Sequence, residues 1–171
     1  EEAWVLSNLG NIYYLSRQPD LAHRAYTEAL AIYEQSAHLQ GQAICHNNLA
    51  NIASDKNDPI EAEQHQQRGY ELYQQTGDQA GVATALTNLA NTLQAQGRTE
   101  EARQLYPQAF AIFGQLRDEV RQADVYGNLG SLALAERDLQ NAIDLFKRDL
   151  ATSTQSQNIY GQAVTLANLA Q

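Results

Sequence analysis

An all-α solenoid of helix pairs, four complete pairs plus one additional first helix, is the fold that this 171-residue sequence predicts. Three observations lead there. The phrase Asn8-Leu9-Gly10-Asn11 returns as Asn48-Leu49-Ala50-Asn51, Asn88-Leu89-Ala90-Asn91 and Asn128-Leu129-Gly130-Ser131, and it begins again at Asn168-Leu169-Ala170, always 40 residues on. A fixed period of about 20–50 residues marks a stacked array, because so small a unit buries its apolar face only against its neighbours. Each unit also carries two stretches with apolar residues at three- and four-residue steps, and no segment alternates with a period of two.

In the first unit, Ala3, Leu6, Leu9, Gly10 and Tyr13 give helix A one apolar face. Arg17-Gln18-Pro19-Asp20 breaks the pattern, and Leu21, Ala22, Tyr26, Ala29, Leu30 and Tyr33 resume it as helix B. Downstream, Asn57-Asp58-Pro59 offers an Asp cap with Pro at the first helical position, where its missing N–H costs nothing. Gly77 suits the left-handed turn that ends a helix, and Gln96-Gly97-Arg98 and Glu136-Arg137-Asp138 break the later units. The predicted helices are 3–16, 20–36, 40–55, 59–75, 79–96, 100–116, 119–136, 139–156 and 159–171. They form a single array over 1–171, with units of about 1–38, 39–78, 79–118 and 119–158 and a partial 159–171.

The B helices carry a small residue with an aromatic four later, at Ala22/Tyr26, Ala102/Tyr106 and Ala142/Phe146, while Ala62/Gln66 departs. Gly10, Ala50, Ala90, Gly130 and Ala170 are expected at the tightest A–B contact, and Leu166 and Leu169 are expected to cover the preceding B helix. Pro107 falls inside a B helix and predicts either a kink on the outer face or a bend used in recognition.

Leu9-Gly10-x-x-Tyr13 on helix A and Ala22, Tyr26 and Ala29 on helix B resemble the tetratricopeptide repeat family. The 40-residue unit, longer than the usual one of about 34, is similar to those of kinesin light chains and bacterial regulator arrays. The resemblance covers the whole chain and implies a right-handed solenoid that binds protein segments in its concave groove.

Around helix A, at about 100° per residue, Asn8 and Asn11 fall about 160° and 140° from Leu6, on the side away from helix B. Trp4 shares that side. The period places Asn48, Asn51, Asn88, Asn91 and Asn128 equivalently, as two rows. An amide side chain both donates and accepts, so such rows can grip the backbone of an extended or helical peptide. The resemblance implies the same role, since matching asparagines in the family contact bound peptide backbone. The alternative is structural: Asn is a poor helix former, and its recurrence could serve bonds to the neighbouring A helix. Trp4 either anchors a ligand or packs against a preceding repeat. The basic residues that family members add as a carboxylate clamp are absent, since the flanking positions hold Ser7, Asn47, Thr87 and Gly127 or Trp4, Ile44, Thr84 and Asp124.

A net charge of −9 with scattered Lys and Arg argues against nucleic acid and favours a neutral or basic protein partner. No apolar run reaches the ~18 residues of a membrane span. The single cysteine, Cys45, permits no intrachain disulfide, fits a cytoplasmic compartment, and occupies the slot of Val5 and Val125 as a small buried hydrophobe. Glu61 and His65, four apart, have no third ligand nearby in sequence and read as an ion pair. No nucleophile–base pair or phosphate loop appears, so no enzyme, metal or cofactor is expected. The chain lacks Met and begins and ends within helical patterns, so it reads as a piece of a longer array. Its exposed ends leave open a second function, that of a structural spacer or sensor array that associates end to end.

Overall fold

The computed structural model of the protein describes residues 1–169, the side chain of Tyr160 excepted. The expectations for Ala170 and for the end of the last helix at 171 lie outside the described residues. The described residues form α1 (Glu2–Leu15), α2 (Pro19–Gln35), α3 (Leu39–Asp55), α4 (Pro59–Thr76), α5 (Gln79–Ala95), α6 (Thr99–Gln115), α7 (Glu119–Ala135), α8 (Leu139–Gln155) and α9 (Ile159–Leu169). This is an all-α solenoid of helix pairs. α6 runs on through Pro107, whose ring stands exposed.

The helix ends fall where they do because one turn recurs every 20 residues. Each link places its middle residue in the left-handed region: Arg17, Ala37, Asn57, Gly77, Gly97, Arg117, Arg137 and Gln157 all have positive φ. The next residue then donates its N–H to the carbonyl five back, as in Gln18 to Tyr13, Asp58 to Ala53 and Asp138 to Ala133, so a carbonyl orphaned by the helix end is satisfied. That same residue often caps the following helix. His38, Asp58, Asp78, Asp118, Asp138 and Asn158 each accept the backbone N–H three residues on, at 2.9–3.3 Å.

Contacts divide the chain into two compact units, Glu1–Thr92 and Leu93–Gln171. In the first, Ala22, Tyr26, Leu49 and Ile52 form a core flanked by Tyr13, Tyr14 and Leu30. A Cβ on Gly10 would stand 2.7 Å from the Tyr26 ring, so only glycine lets α1 approach α2 this closely. In the second, Ala133, Ala142 and Phe146 pack with Leu134, Leu145 and Leu169. Gly130 repeats the arrangement, 2.6 Å from the Phe146 ring. The small positions therefore lie at the paired-helix contact, as the repeat predicts.

At α9 the expectation needs correcting. Leu169 joins the core cluster, but Leu166 is 55% exposed. Its place in the repeat is that of Leu6 and Leu86, which packs on a unit's own B helix, and it is Thr165, fully buried, that meets α8.

Candidate functional site

The asparagines stand on the A helices, whose small positions Gly10 and Gly130 are turned onto a ring of the paired helix B. In the first unit Asn8, Asn48, Asn51 and Asn88 are half-buried, and Asn11 and Asn91 are exposed. Trp4 is 66% exposed, with Ile44 open in the equivalent place on α3. In the second unit Asn128 is half-buried on α7.

Their hydrogen bonds separate them. Asn11 accepts the Tyr26 hydroxyl at 2.6 Å, a phenol that burial pushes up to about 12 and so keeps as a donor. Asn88 donates to Asn47 at 3.1 Å, tying α5 to α3 across neighbouring repeats. Asn8, Asn48, Asn51 and Asn128 make no side-chain bond to another described residue. The hydroxyls around them are already occupied. Ser7, Thr84, Thr87 and Ser131 each donate to the carbonyl four residues back, at 2.8–3.0 Å. Unspent donors and acceptors on this face therefore concentrate in the amides.

Asn47 was not singled out by the repeat, because its slot holds Ser7, Thr87 and Gly127 elsewhere. Nor was the polar set in the second unit. Asp149, buried at 5% exposure, accepts the Ser153 hydroxyl at 3.0 Å and the Thr165 hydroxyl, with Gly127 beside it. Burial raises its carboxyl above the usual range, against the lowering effect of those two bonds. Asp124, in the slot of Trp4, is exposed on α7, and its carboxyl is raised by partial loss of solvent and by the charges of Asp149 and Asp118. Departure from the unit's apolar consensus at several slots together was the signal for this set.

Cys45 is fully buried against Ser7, 3.7 Å away, with its thiol pushed up by burial. Among the described residues, no three His, Cys, Asp or Glu side chains are grouped to hold a metal ion, and no helix is long and apolar enough to cross a membrane.

Helix pairs that recur with a fixed turn every 20 residues define a class of repeat protein. Profiles described as tetratricopeptide repeat match residues 41–115, 81–155 and 3–36, and the chain belongs to the tetratricopeptide repeat family. No curated protein matches it in sequence. In fold it is similar to aspartyl phosphate phosphatase F from Bacillus subtilis, at 17% identity and a TM-score of 0.87 over 95% of this chain and 43% of that one. It is equally similar to a Rap protein complexed with Competence and Sporulation Factor, at 18% identity and a TM-score of 0.87 over 95% of this chain and 46% of that one. The apo form of RapI gives 14% identity and a TM-score of 0.85 over 92% and 57%. The chain thus spans about half the length of these solved chains.

Proposed function

We propose that this protein is a non-enzymatic protein-interaction scaffold whose A-helix amide face holds an extended or helical segment of a neutral or basic protein partner. The observation that carries the reading is the set of half-buried amides of Asn8, Asn48 and Asn51 in the first unit, unpaired among the described residues. A half-buried amide that exchanges water for a ligand backbone gains a net of about 0.5–1.5 kcal/mol per hydrogen bond. Trp4 and Ile44 add apolar surface beside them. A Rap protein that shares this fold over 46% of its length was solved in complex with Competence and Sporulation Factor, a precedent for a partner bound by a protein that contains such helix pairs. Peptides selected on the protein from a random library provide the test, by nuclear magnetic resonance of the backbone and asparagine side-chain amides. Shifts concentrated at Asn8, Asn48 and Asn51 support the groove; shifts confined to the B helices overturn it.

A second reading, a self-associating or spacer array, is favoured by one specific observation. Val5 and Ile12 on α1 are 56% and 58% exposed, whereas their equivalents Cys45, Val125, Ile52 and Leu132 are buried. Concentration-dependent association in ultracentrifugation, lost in a Val5→Lys/Ile12→Lys variant, would favour it. The Asn88–Asn47 bond fits this reading too, since it serves stacking.

A further inference from the structure

In the second repeat two imidazoles replace apolar packing between the paired helices. His46 on α3 occupies the slot of Leu6, Leu86 and Tyr126, and His65 on α4 that of Ala25, Leu105 and Leu145. Their Nδ1 atoms are 2.9 Å apart, with ring centroids at 5.1 Å and planes inclined at 44°. The rings are joined edge to edge by a nitrogen–nitrogen hydrogen bond. Such a bond needs one Nδ1 protonated and the other bare. Two neutral rings satisfy it, and so does a pair carrying a single added proton. When both rings are fully protonated, two N–H groups point at each other and the bond is gone.

The surroundings favour the neutral form. Both rings are half-buried on the contact between α3 and α4, where charge loses its water. The carboxylate facing them is Glu61 of α4, whose Oε1 lies 3.9 Å from His65 Nε2 and is shared with His23 of α2 at 3.8 Å. Arg68 of α4 acts on His46, and His23 on His65, both against added positive charge. Burial, then the neighbouring ring and Arg68, push His46 down to about 4; burial also lowers His65, opposed by Glu61.

The same interface carries a further polar substitution. Gln66 stands where Tyr26, Tyr106 and Phe146 stand in the other units, and its Oε1 is buried with no hydrogen-bond partner.

We propose that the His46–His65 pair makes the α3–α4 contact an acid-sensitive joint, closed while at most one added proton is shared and loosened when both rings are charged. The sign follows from linkage. Imidazoles whose folded-state pKa is depressed contribute stability above their unfolded value of about 6.5, and that stability is lost as pH falls toward the folded value.

Urea unfolding of the whole chain, followed by circular dichroism from pH 7 to pH 4, tests the joint against a His46→Leu/His65→Leu variant, which restores the side chains of Leu86 and Leu105. The expected result is a midpoint that falls by roughly 1 M more in the wild-type chain than in the variant across that range. A gap between the two chains that stays constant with pH overturns the proposal. Should the double variant fail to fold, imidazole nitrogen resonances of the wild-type chain decide. Coupled titration of His46 and His65 well below about 6.5 supports the joint, and independent titration at that ordinary value overturns it.

Discussion

Ionisable groups stand at helix contacts in both compact units, yet they are housed in different ways. Between α3 and α4, His46 and His65 hydrogen-bond to each other, with the Glu61 carboxylate 3.9 Å from His65 Nε2, and the neighbouring Gln66 oxygen, on a residue 3% exposed, is left without a partner. Between α8 and α9, Asp149 takes the slot of Ala29, Gly69 and Ala109, and the residues around it have changed to suit. Ser153 replaces the aromatic of Tyr33, Tyr73 and Phe113, Thr165 replaces Val5 or Cys45, and both donate to the carboxyl. Gly127 leaves room, since a Cβ there would stand 2.9 Å from Asp149 Oδ2. A polar group in an apolar slot is thus accommodated either by a compensating set of donors or by a second polar ring that pairs with it. The pH consequences oppose each other. The raised carboxyl of Asp149 contributes stability that is full below its unfolded value of about 3.9 and is lost as pH rises through the folded value. The depressed histidines lose theirs as pH falls.

The largest effect is expected where the compensating set is tight. Gly127→Val should destabilise the second unit by about 2–3 kcal/mol through overpacking against Asp149, and by far less in an Asp149→Ala background. Additive losses in that double-mutant cycle would break the claim that the two positions are coupled. In the first unit, Gln66→Leu removes the orphaned oxygen and should stabilise by about 1–2 kcal/mol, read as a higher urea midpoint with unchanged slope. A loss would mean that the glutamine is satisfied in solution.

Asp149→Asn sharpens the contrast in sign. An amide keeps the shape, avoids the buried charge and can donate to Thr165, so the variant should gain on the wild type by about 1 kcal/mol as pH rises from 4 to 7. A pH-independent difference would show that the carboxyl is ionised at no cost. The smallest effect is shared by both regions. Ala37 and Arg137 hold the left-handed conformation that Gly77 and Gly97 supply freely, and Ala37→Gly or Arg137→Gly should each add about 0.5–1 kcal/mol in thermal melts.

The helix pairs were legible in the sequence because their causes are local and repeated. A left-handed residue, a cap and an apolar face recur at fixed spacing, so each boundary at a break falls within one residue of its expected place. The set of asparagines on the A helices was legible for the same reason. The bonds within it were not: Asn88 reaches Asn47 on another helix, 41 residues away, and Asn11 meets Tyr26 across its own pair. The polar sets were hidden too, because His46 and His65 are 19 residues apart and Asp149 and Thr165 are 16 apart, on helices whose packing the period does not spell out. Glu61 and His65 read as a simple ion pair from their spacing on one helix, and the ring of His46 becomes their neighbour only through the α3–α4 contact.

The central claim is that the unpaired amides of the A helices form the binding surface. It is tested most directly by the affinity of one library-selected peptide for the wild-type chain and for an Asn48→Ala/Asn51→Ala variant, by calorimetry at neutral pH. Neither amide bonds to another described residue, so the variant should retain the wild-type unfolding curve. It should bind about tenfold more weakly, the loss expected when a net of about 0.5–1.5 kcal/mol of hydrogen bonding is removed at each of the two sites. Equal affinity in the two chains, with both fully folded, would contradict the account.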